Sequence, residues 1–467
     1  MYFQTDPDLN EKFAKSGILP GQKIAILSKN SEEYVKLLIQ IIFWGCVAVP
    51  VSPIIPGKKA HSMLKNIDCS KIIVGEDIEY KDDNLIKSVS LKYYSKELKN
   101  INLNQTINGF DICESKENLN GKASIFLTSG STNIPKAVLH TFSNHWYSAI
   151  GSNINILFKK GDCWMITLPL NHVSGFSTIF KALAGKADIY VKPSGIALFD
   201  VFNLNNHITH ISLIPAQLSE LIKDISMVEI LRKLKAILIG GSSAPSDLIE
   251  ESKNLGLKVY NSYGSTEMSS QITCTVQNDS LKHLKTSGKL LKYRELKISS
   301  QNEILVKGKT LFKGYISQNI LKDVDMYKQT DEEGWFATND LGYMDDEGYL
   351  HVWGRKDLMF VCKGENIFPE EIEDTLRGIR VIEDAIVVPI NKPGVGQIPA
   401  AFLKSINCMK LDKLSIKKNL MEKLECFKVP EIYLDWPYDL EKKSMKPDRE
   451  SYKKRAIDLT NSKTDWH

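Results

Sequence analysis

Ser124-Ile125-Phe126-Leu127-Thr128-Ser129-Gly130-Ser131-Thr132-Asn133-Ile134-Pro135-Lys136-Ala137-Val138-Leu139-His140 is the stretch whose reading decides the fold. Ser124 to Leu127 reads as a buried strand that opens into a loop of hydroxyls and small residues ending in a lysine. Such a loop suits a polyphosphate. Backbone N–H groups around Gly130 can converge on an anion, the Ser and Thr hydroxyls add donors, and Lys136 adds charge. A nucleotide loop of the G-x-x-x-x-G-K-[ST] type is excluded, because Pro135 precedes the lysine and Ala137 follows it. Taken alone, a loop this rich in Ser, Thr and Gly is also a common solvated connection.

The surroundings set bounds on that reading. A chain of 467 residues exceeds one ordinary core and predicts at least two domains. With 43% hydrophobic and 25% charged residues it is globular, without long disorder. A net charge of +4 is small for this length and argues against a dedicated nucleic-acid surface, while suiting an enzyme with anionic ligands. The 8 cysteines show no CxxC pair and no zinc spacing, so reduced thiols in the cytoplasm are the simplest reading. Met1 to Asp6 has no basic region followed by an apolar one, hence no signal peptide is expected. The most apolar run, Leu37 to Val49, holds Gln40 and Gly45 and stops at Pro50, too short and interrupted for stable membrane insertion.

Strands and helices alternate from the start. Lys23 to Leu27, Val47 to Val51 and Lys71 to Val74 read as strands, and Asn30 with Glu33 suggests a capping box for a helix ending near Gly45. That order predicts layered α/β architecture with mostly parallel sheets. The lysine- and asparagine-rich stretch from Glu76 to Leu119 reads as surface connections around short elements. Further strands are expected at Met165 to Leu168, Ile208 to Ile214, Lys235 to Ile239, Val259 to Tyr263, Glu303 to Lys307 and Tyr349 to Val352. Several exit into segments rich in polar or small residues: Pro169-Leu170-Asn171-His172-Val173-Ser174-Gly175, Gly240-Gly241-Ser242, and Ser262-Tyr263-Gly264-Ser265-Thr266-Glu267. Ligands of open α/β sheets gather at such strand exits. Each also has a plainer reading: His172 as a packed or surface histidine, Gly240-Gly241 as a tight turn, Asp340 as the cap of a turn, and the basic C-terminal run as a solvated face. The last stretch reads as a small α+β unit, with strands at Ala385 to Val388, Ala400 to Leu403 and Ile432 to Trp436 and a helix at Leu414 to Leu424.

Together these segments resemble the acyl-adenylate-forming superfamily of acyl-CoA ligases, luciferases and adenylation domains. Its usual loop is Thr-Ser-Gly-Ser/Thr-Thr-Gly-x-Pro-Lys-Gly; this chain has Asn133 and Ala137 at two of the Gly places. The resemblance runs from about Lys23 to Arg449, with the motifs in family order. It implies a large N-terminal AMP-binding body, residues 1–353, and a small mobile α+β lid, residues 354–467, turning about Asp357. It implies that Thr128, Ser129, Gly130, Ser131, Thr132 and Lys136 hold the ATP phosphates. Gly241, Ser262, Tyr263 and Gly264 would meet the adenylate, and Asp340 with Arg355 the ribose, Asn339 again standing where the family has Gly. Thr266 would touch the α-phosphate and Glu267 hold Mg²⁺, a hard cation satisfied by one carboxylate plus phosphate oxygens. The adenylation lysine corresponds to Lys446, whose spacing to Arg449 is kept; the family's Gly and Pro are missing there, so Lys443 and Lys442 stay open as alternatives.

Within the superfamily the likeness is to the 2-succinylbenzoate–CoA ligases of menaquinone synthesis, carried by Leu168 to Gly175, Thr209 to Leu218 and Ser262 to Gln271. It implies an acyl pocket with His172 near the reacting carboxylate, walled by Ser174, Gly175 and Ser242. Because this acid is a dicarboxylate, its second acid group needs a cation or donors, for which Lys181, Ser174 and Gln271 are candidates. The partners implied are a small carboxylic acid, ATP and coenzyme A, with no nucleic acid; a homodimer is compatible with the sequence. Another acyl- or aryl-CoA ligase and a non-catalytic adenylate-binding protein are the competing readings.

Overall fold

The computed structural model of the chain describes residues 6–55, 57–69, 71–76, 78, 87–108, 119–128, 136–192, 195–204, 207–316, 326–327, 330–392, 396–406, 409–440 and 448–461. Two compact units emerge. The larger comprises Met1–Gly241, Ser252–Lys297 and Leu305–Ala337; the smaller comprises Ser242–Glu251, Ile298–Ile304 and Thr338–His467.

Two sheets build the larger unit. The first has 8 strands, in the order Met326–Tyr327, Gly314–Ile316, Lys136–Thr141, Lys122–Thr128, Val47–Val51, Lys23–Leu27, Lys71–Val74 and Lys87–Ser90. From Lys122–Thr128 through to Lys87–Ser90 the pairings are parallel, whereas Lys136–Thr141 and the strands beyond it pair antiparallel. The second sheet has 7 strands, with a parallel centre from Asp188–Val191 to Val259–Ser265 and an antiparallel edge formed by Ser270–Cys274 and Lys289–Leu290. Mostly parallel layers are therefore the outcome, with antiparallel hairpins added toward one edge of each sheet.

Composition explains the central strands. Ile24, Ala25, Ile26, Val49, Ile72, Ile73, Ile237 and Ile239 are wholly inaccessible, as expected of strands covered on both faces. Each such Ile or Val side chain contributes about 1.5–3 kcal/mol relative to exposure. The helix Glu32–Phe43 starts one residue later than the Asn30–Glu33 capping box implies: Ser31 is the cap, its side chain accepting from the Tyr34 N–H. Asn30 is thereby freed for another task. Its amide donates to the Leu168 carbonyl at 2.9 Å and accepts from the Leu170 N–H at 3.0 Å, tying down the Pro169–Gly175 segment. Within Glu76 to Leu119 the described residues form a strand, Lys87–Ser90, and short helices whose Leu91, Tyr94, Leu98, Leu103 and Ile107 are buried, so this stretch adds to the core.

The smaller unit holds a 5-stranded sheet whose long hairpin, Ile382–Lys392 with Gly396–Ser405, is flanked by Phe360–Cys362 and, in parallel, by Ile432–Asp435. Its core gathers Ile367, Ile372, Leu376, Val387, Ile398, Phe402, Leu420 and Ala456. Glu373, 2% exposed, sits in that core with its carboxyl oxygens satisfied: it accepts from the Val387 N–H, from both terminal nitrogens of Arg449 and from Arg377. Arg449 thus fixes the start of the helix Arg449–Asn461 to the sheet.

Candidate active site

The signature stretch folds as an antiparallel hairpin, Lys122–Thr128 against Lys136–Thr141, with Thr128 opposite Lys136 and the Thr128 hydroxyl 3.4 Å from the Lys136 carbonyl. Ser129, Gly130, Ser131 and Thr132 lie outside the described residues, between these two fixed ends. Next to Lys136–Thr141 runs Gly314–Ile316, which brings Tyr315 opposite Val138. The Lys136 ammonium lies 5.0 Å from the Tyr315 ring centroid, and the Tyr315 hydroxyl donates to Glu267 Oε1 at 2.8 Å. A cation from the hairpin and a carboxylate from the second sheet's loop are thus assembled around one phenol.

Glu267 belongs to a tight turn at the exit of Val259–Ser265. The pairing of this strand with Ser270–Cys274 is irregular at Tyr263/Gly264. A β-carbon on Gly264 would overlap the Ser270 carbonyl, so the two strands approach closely only because residue 264 has no side chain. The turn closes through Ser269 N–H to the Thr266 carbonyl at 3.0 Å and Met268 N–H to the Ser265 hydroxyl at 3.3 Å; the Glu267 carbonyl accepts from Phe312 N–H at 2.7 Å. Ser269 and Ser270 both carry positive φ, 55° and 96°, a backbone rarely adopted by non-glycine residues and therefore held by its surroundings. Ser262 anchors the strand exit, its hydroxyl donating to the Ile239 carbonyl at 3.0 Å. Ser262, Tyr263, Gly264, Thr266 and Glu267 thus share one rigid turn, with the side chains of Tyr263, Thr266 and Glu267 partly accessible.

Magnesium fits this arrangement. Among the described residues no group of three His, Cys, Asp or Glu forms a protein cage, while Glu267 offers one carboxylate whose Oε1 is oriented by Tyr315. A hard cation that brings phosphate oxygens with it needs no more from the protein than that. When bound, it would neutralise phosphate charge.

The Pro169–Gly175 segment, expected to wall an acyl pocket, runs into the helix Val173–Gly185. His172 is exposed at its N-terminal boundary, its N–H donating to the Pro169 carbonyl at 3.1 Å. A β-carbon on Gly175 would overlap the Pro169 and Leu168 carbonyls, so the helix start packs directly on the strand exit. The Ser174 carbonyl accepts from the Ser177 hydroxyl at 3.0 Å. Further along the helix, Lys181 is 2% exposed, with Nζ 4.4 Å from the Trp164 ring centroid and no ion pair among the described residues. Burial, reinforced by the nearby Arg294 guanidinium and partly offset by the Cys274 thiol, pushes Lys181 down to about 7. Gln271, also buried, accepts from the Ser152 hydroxyl at 2.7 Å, while its Nε2 has no hydrogen-bond partner among the described residues. Lys181, Gln271 and Arg294 all surround the Cys274 thiol. A lysine side chain buried without an ion pair among the described residues favours an anionic guest.

In the smaller unit the hairpin Phe336–Met344 with Leu350–Arg355 sets Asp340 opposite Arg355. Arg355 donates to Asp340 at 3.4 Å, to the Thr338 carbonyl at 3.2 Å and through two nitrogens to Asp357 at 3.0 and 3.2 Å. Asp340, Arg355 and Asp357 therefore form one cluster. Asn339 has φ 66°, the left-handed conformation for which the family uses glycine and which Asn tolerates best among larger residues. Ser242 begins the Ser242–Glu251 piece of this unit, and Gly241 ends the preceding piece of the larger one. Lys446, Lys443 and Lys442 lie outside the described residues.

Tyr315, Asn30 and His145 are site-shaping residues that sequence reasoning missed. Tyr315 follows a glycine in an otherwise ordinary strand, and Asn30 looks like a helix cap. His145 lies inside a helix whose sequence gives it no distinguishing pattern.

Known proteins share this sequence pattern and fold. The sequence profile of the AMP-binding enzyme family matches residues 12–316. The chain is 33% identical over 420 residues to the 2-succinylbenzoate–CoA ligase of Oceanobacillus iheyensis, covering 86% of this chain and 82% of that protein. The o-succinylbenzoate coenzyme A synthetase of Bacillus subtilis in complex with its acyl-adenylate intermediate superposes with a TM-score of 0.81 at 28% identity, covering 95% of this chain and 90% of that one. The same Bacillus subtilis enzyme with ATP and a magnesium ion gives 0.78 at 27% identity over 95% and 91%. With a family profile spanning most of its length and a relative matched nearly end to end, this chain belongs to the AMP-binding enzyme family.

Proposed function

We propose that the chain is an AMP-forming acid–CoA ligase that activates 2-succinylbenzoate. The observation that carries the reading is the near full-length match to a 2-succinylbenzoate–CoA ligase, supported by the unpaired buried Lys181 on the acyl-pocket helix. In the first half-reaction one carboxylate of the acid attacks the α-phosphorus of ATP, a P–O bond forms as the bond to the β-phosphate oxygen breaks, and pyrophosphate leaves. A carboxylate is already ionised at neutral pH, so no general base is required. What the protein supplies is alignment and charge: Lys136 at the phosphates, the Thr266 hydroxyl at the α-phosphate, Glu267 for the metal, and Lys446 from the C-terminal segment. Asp340 and Arg355 take the ribose, and Tyr263 packs on the adenine. Lys181 pairs with the second carboxylate of the acid, with the Gln271 amide as a further donor.

In the second half-reaction the thiol of coenzyme A attacks the acyl carbon of the mixed anhydride, the C–O bond to phosphate breaks, and AMP leaves. Residues 354–467 act as a lid that turns about Asp357 between the two steps, withdrawing Lys446. The reaction takes place in the cytoplasm; no helix among the described residues is long and apolar enough to cross a membrane. The test is thioester formation by the purified chain with ATP, Mg²⁺ and coenzyme A across a panel of acids. Preference for 2-succinylbenzoate over benzoate and over aliphatic acids supports the assignment, and turnover of the panel without it overturns the assignment.

A further inference from the structure

His145 lies in the helix Phe142–Ile156, 1% exposed, and touches no expected ligand. Both of its ring nitrogens are nevertheless engaged. Nε2 is 2.7 Å from the Ser124 hydroxyl and Nδ1 is 2.6 Å from the Ser269 hydroxyl. Ser124 stands on the strand that leads into the phosphate loop, and Ser269 closes the turn that carries Thr266 and Glu267. Both serines are wholly buried. The imidazole therefore bridges two segments far apart in sequence that must converge on one nucleotide. Rings of Phe126, Phe176 and Phe180 and the His140 imidazole enclose it and fix its plane.

The bridge acts on a backbone that needs holding. Ser269 and Ser270 are in left-handed conformations, and the Ser270 carbonyl is the atom pressed against Gly264. Around them run further ties: the Ser148 hydroxyl donates to the Ser269 carbonyl at 2.6 Å, and Arg294 donates to the Ser148 hydroxyl at 3.0 Å. A neutral imidazole has one N–H and one lone pair, which matches two hydroxyls that can each give or take a proton. Burial keeps the ring neutral, with its titration well below the ordinary histidine range.

We propose that His145 is a positioning residue for adenylate formation: it locks the Thr266–Glu267 turn to the strand that delivers the phosphate loop. This rests on the ligase assignment above. Without the bridge the left-handed pair at 269–270 relaxes, and the turn moves relative to the hairpin. Chemistry that depends on in-line alignment at the α-phosphorus suffers; thioester formation from an adenylate already made does not.

The experiment compares His145→Leu, His145→Gln and Ser269→Ala with the unaltered chain, correcting every rate for the folded fraction. Pyrophosphate exchange reads the first half-reaction, thioester formation from supplied acyl-adenylate reads the second, and metal-free AMP binding reads the turn without turnover. His145→Leu is expected to lower the exchange rate by about 100-fold, the cost of a misplacement on the order of 1 Å, and to weaken AMP binding. Its second half-reaction should stay within about threefold of the unaltered rate, far less than that misplacement costs. His145→Gln, whose amide keeps one donor and one acceptor, should recover most of the loss. Should His145→Leu fail to fold, Ser269→Ala keeps the ring and its packing and should show the same split. Equal losses in both half-reactions, an unchanged exchange rate, or no recovery with Gln would overturn the proposal. Failure of the unaltered chain to exchange pyrophosphate counts against the ligase assignment instead, and AMP binding then decides the role of His145: unchanged affinity in His145→Leu and Ser269→Ala overturns it.

Discussion

Tyr315 and Glu267, 48 residues apart in sequence, are joined by a 2.8 Å hydrogen bond from the phenol to the carboxylate, and the same ring lies beneath the Lys136 ammonium. Carboxylate and ammonium are thus set on either side of a neutral group. A hydrogen bond to a charged partner is worth about 1.5–3 kcal/mol. Tyr315→Phe keeps the ring and its packing on Phe312 while releasing the carboxylate. The expected result is pyrophosphate exchange slowed by about tenfold, taking that hydrogen bond at the lower end of its range, with a higher Mg²⁺ concentration at half-maximal rate.

Lys181 should govern acid recognition and leave nucleotide binding alone. Lys181→Met is expected to raise KM for 2-succinylbenzoate by about 10- to 100-fold, the range for removing one partner of a buried charge-assisted contact. KM for ATP should not change, nor should KM for a monocarboxylic analogue that keeps the reacting acid and lacks the second. With the ammonium pushed down to about 7, KM for the dicarboxylate should climb as pH rises above neutrality, because the neutral amine no longer attracts the anion. Steady-state kinetics from pH 6 to 9 on the unaltered chain and Lys181→Met check this, the variant showing the flatter profile.

The same lysine makes folding stability depend on pH in the direction opposite to a paired cation. Its titration is depressed on folding from 10.5 to about 7, so between those values the unfolded chain holds the extra proton. Stability gained from this group therefore rises with pH across that window. Chemical denaturation of the ligand-free protein at pH 7 and pH 9 should show a positive increment that Lys181→Met removes.

Lys446→Ala should separate binding from chemistry. Pyrophosphate exchange is expected to fall by about 100-fold or more, as for removal of a preorganised charge at a developing anion, while the affinity for an acyl-adenylate analogue stays near that of the unaltered chain. Lys443→Ala and Lys442→Ala identify the lysine by elimination: the one whose loss matches this pattern is the adenylation lysine.

Much of the fold was legible because parallel strands covered on both faces are continuous apolar runs, as at Lys23–Leu27 and Ala236–Ile239. The left-handed place held by Asn339 was legible too, since few side chains other than Asn accept it. Asn30 was misread because an Asn before a helix is an ordinary cap; only the fold reveals that Ser31 caps and Asn30 ties Leu168 and Leu170. Lys181 was legible as a candidate cation, but its burial against Trp164 from a neighbouring strand was not. The Tyr315–Glu267 and His145–Ser269 pairs left no trace in the sequence, because each joins residues 48 and 124 positions apart through tertiary packing alone.

The most direct test is to mix the purified chain with ATP, Mg²⁺ and 2-succinylbenzoate, omit coenzyme A, and follow the products by mass. An acyl-adenylate of 2-succinylbenzoate formed together with pyrophosphate, and converted to the thioester and AMP once coenzyme A is added, is the result expected. Release of ADP and phosphate, or no adenylate at saturating acid from a folded protein that binds ATP, would contradict it.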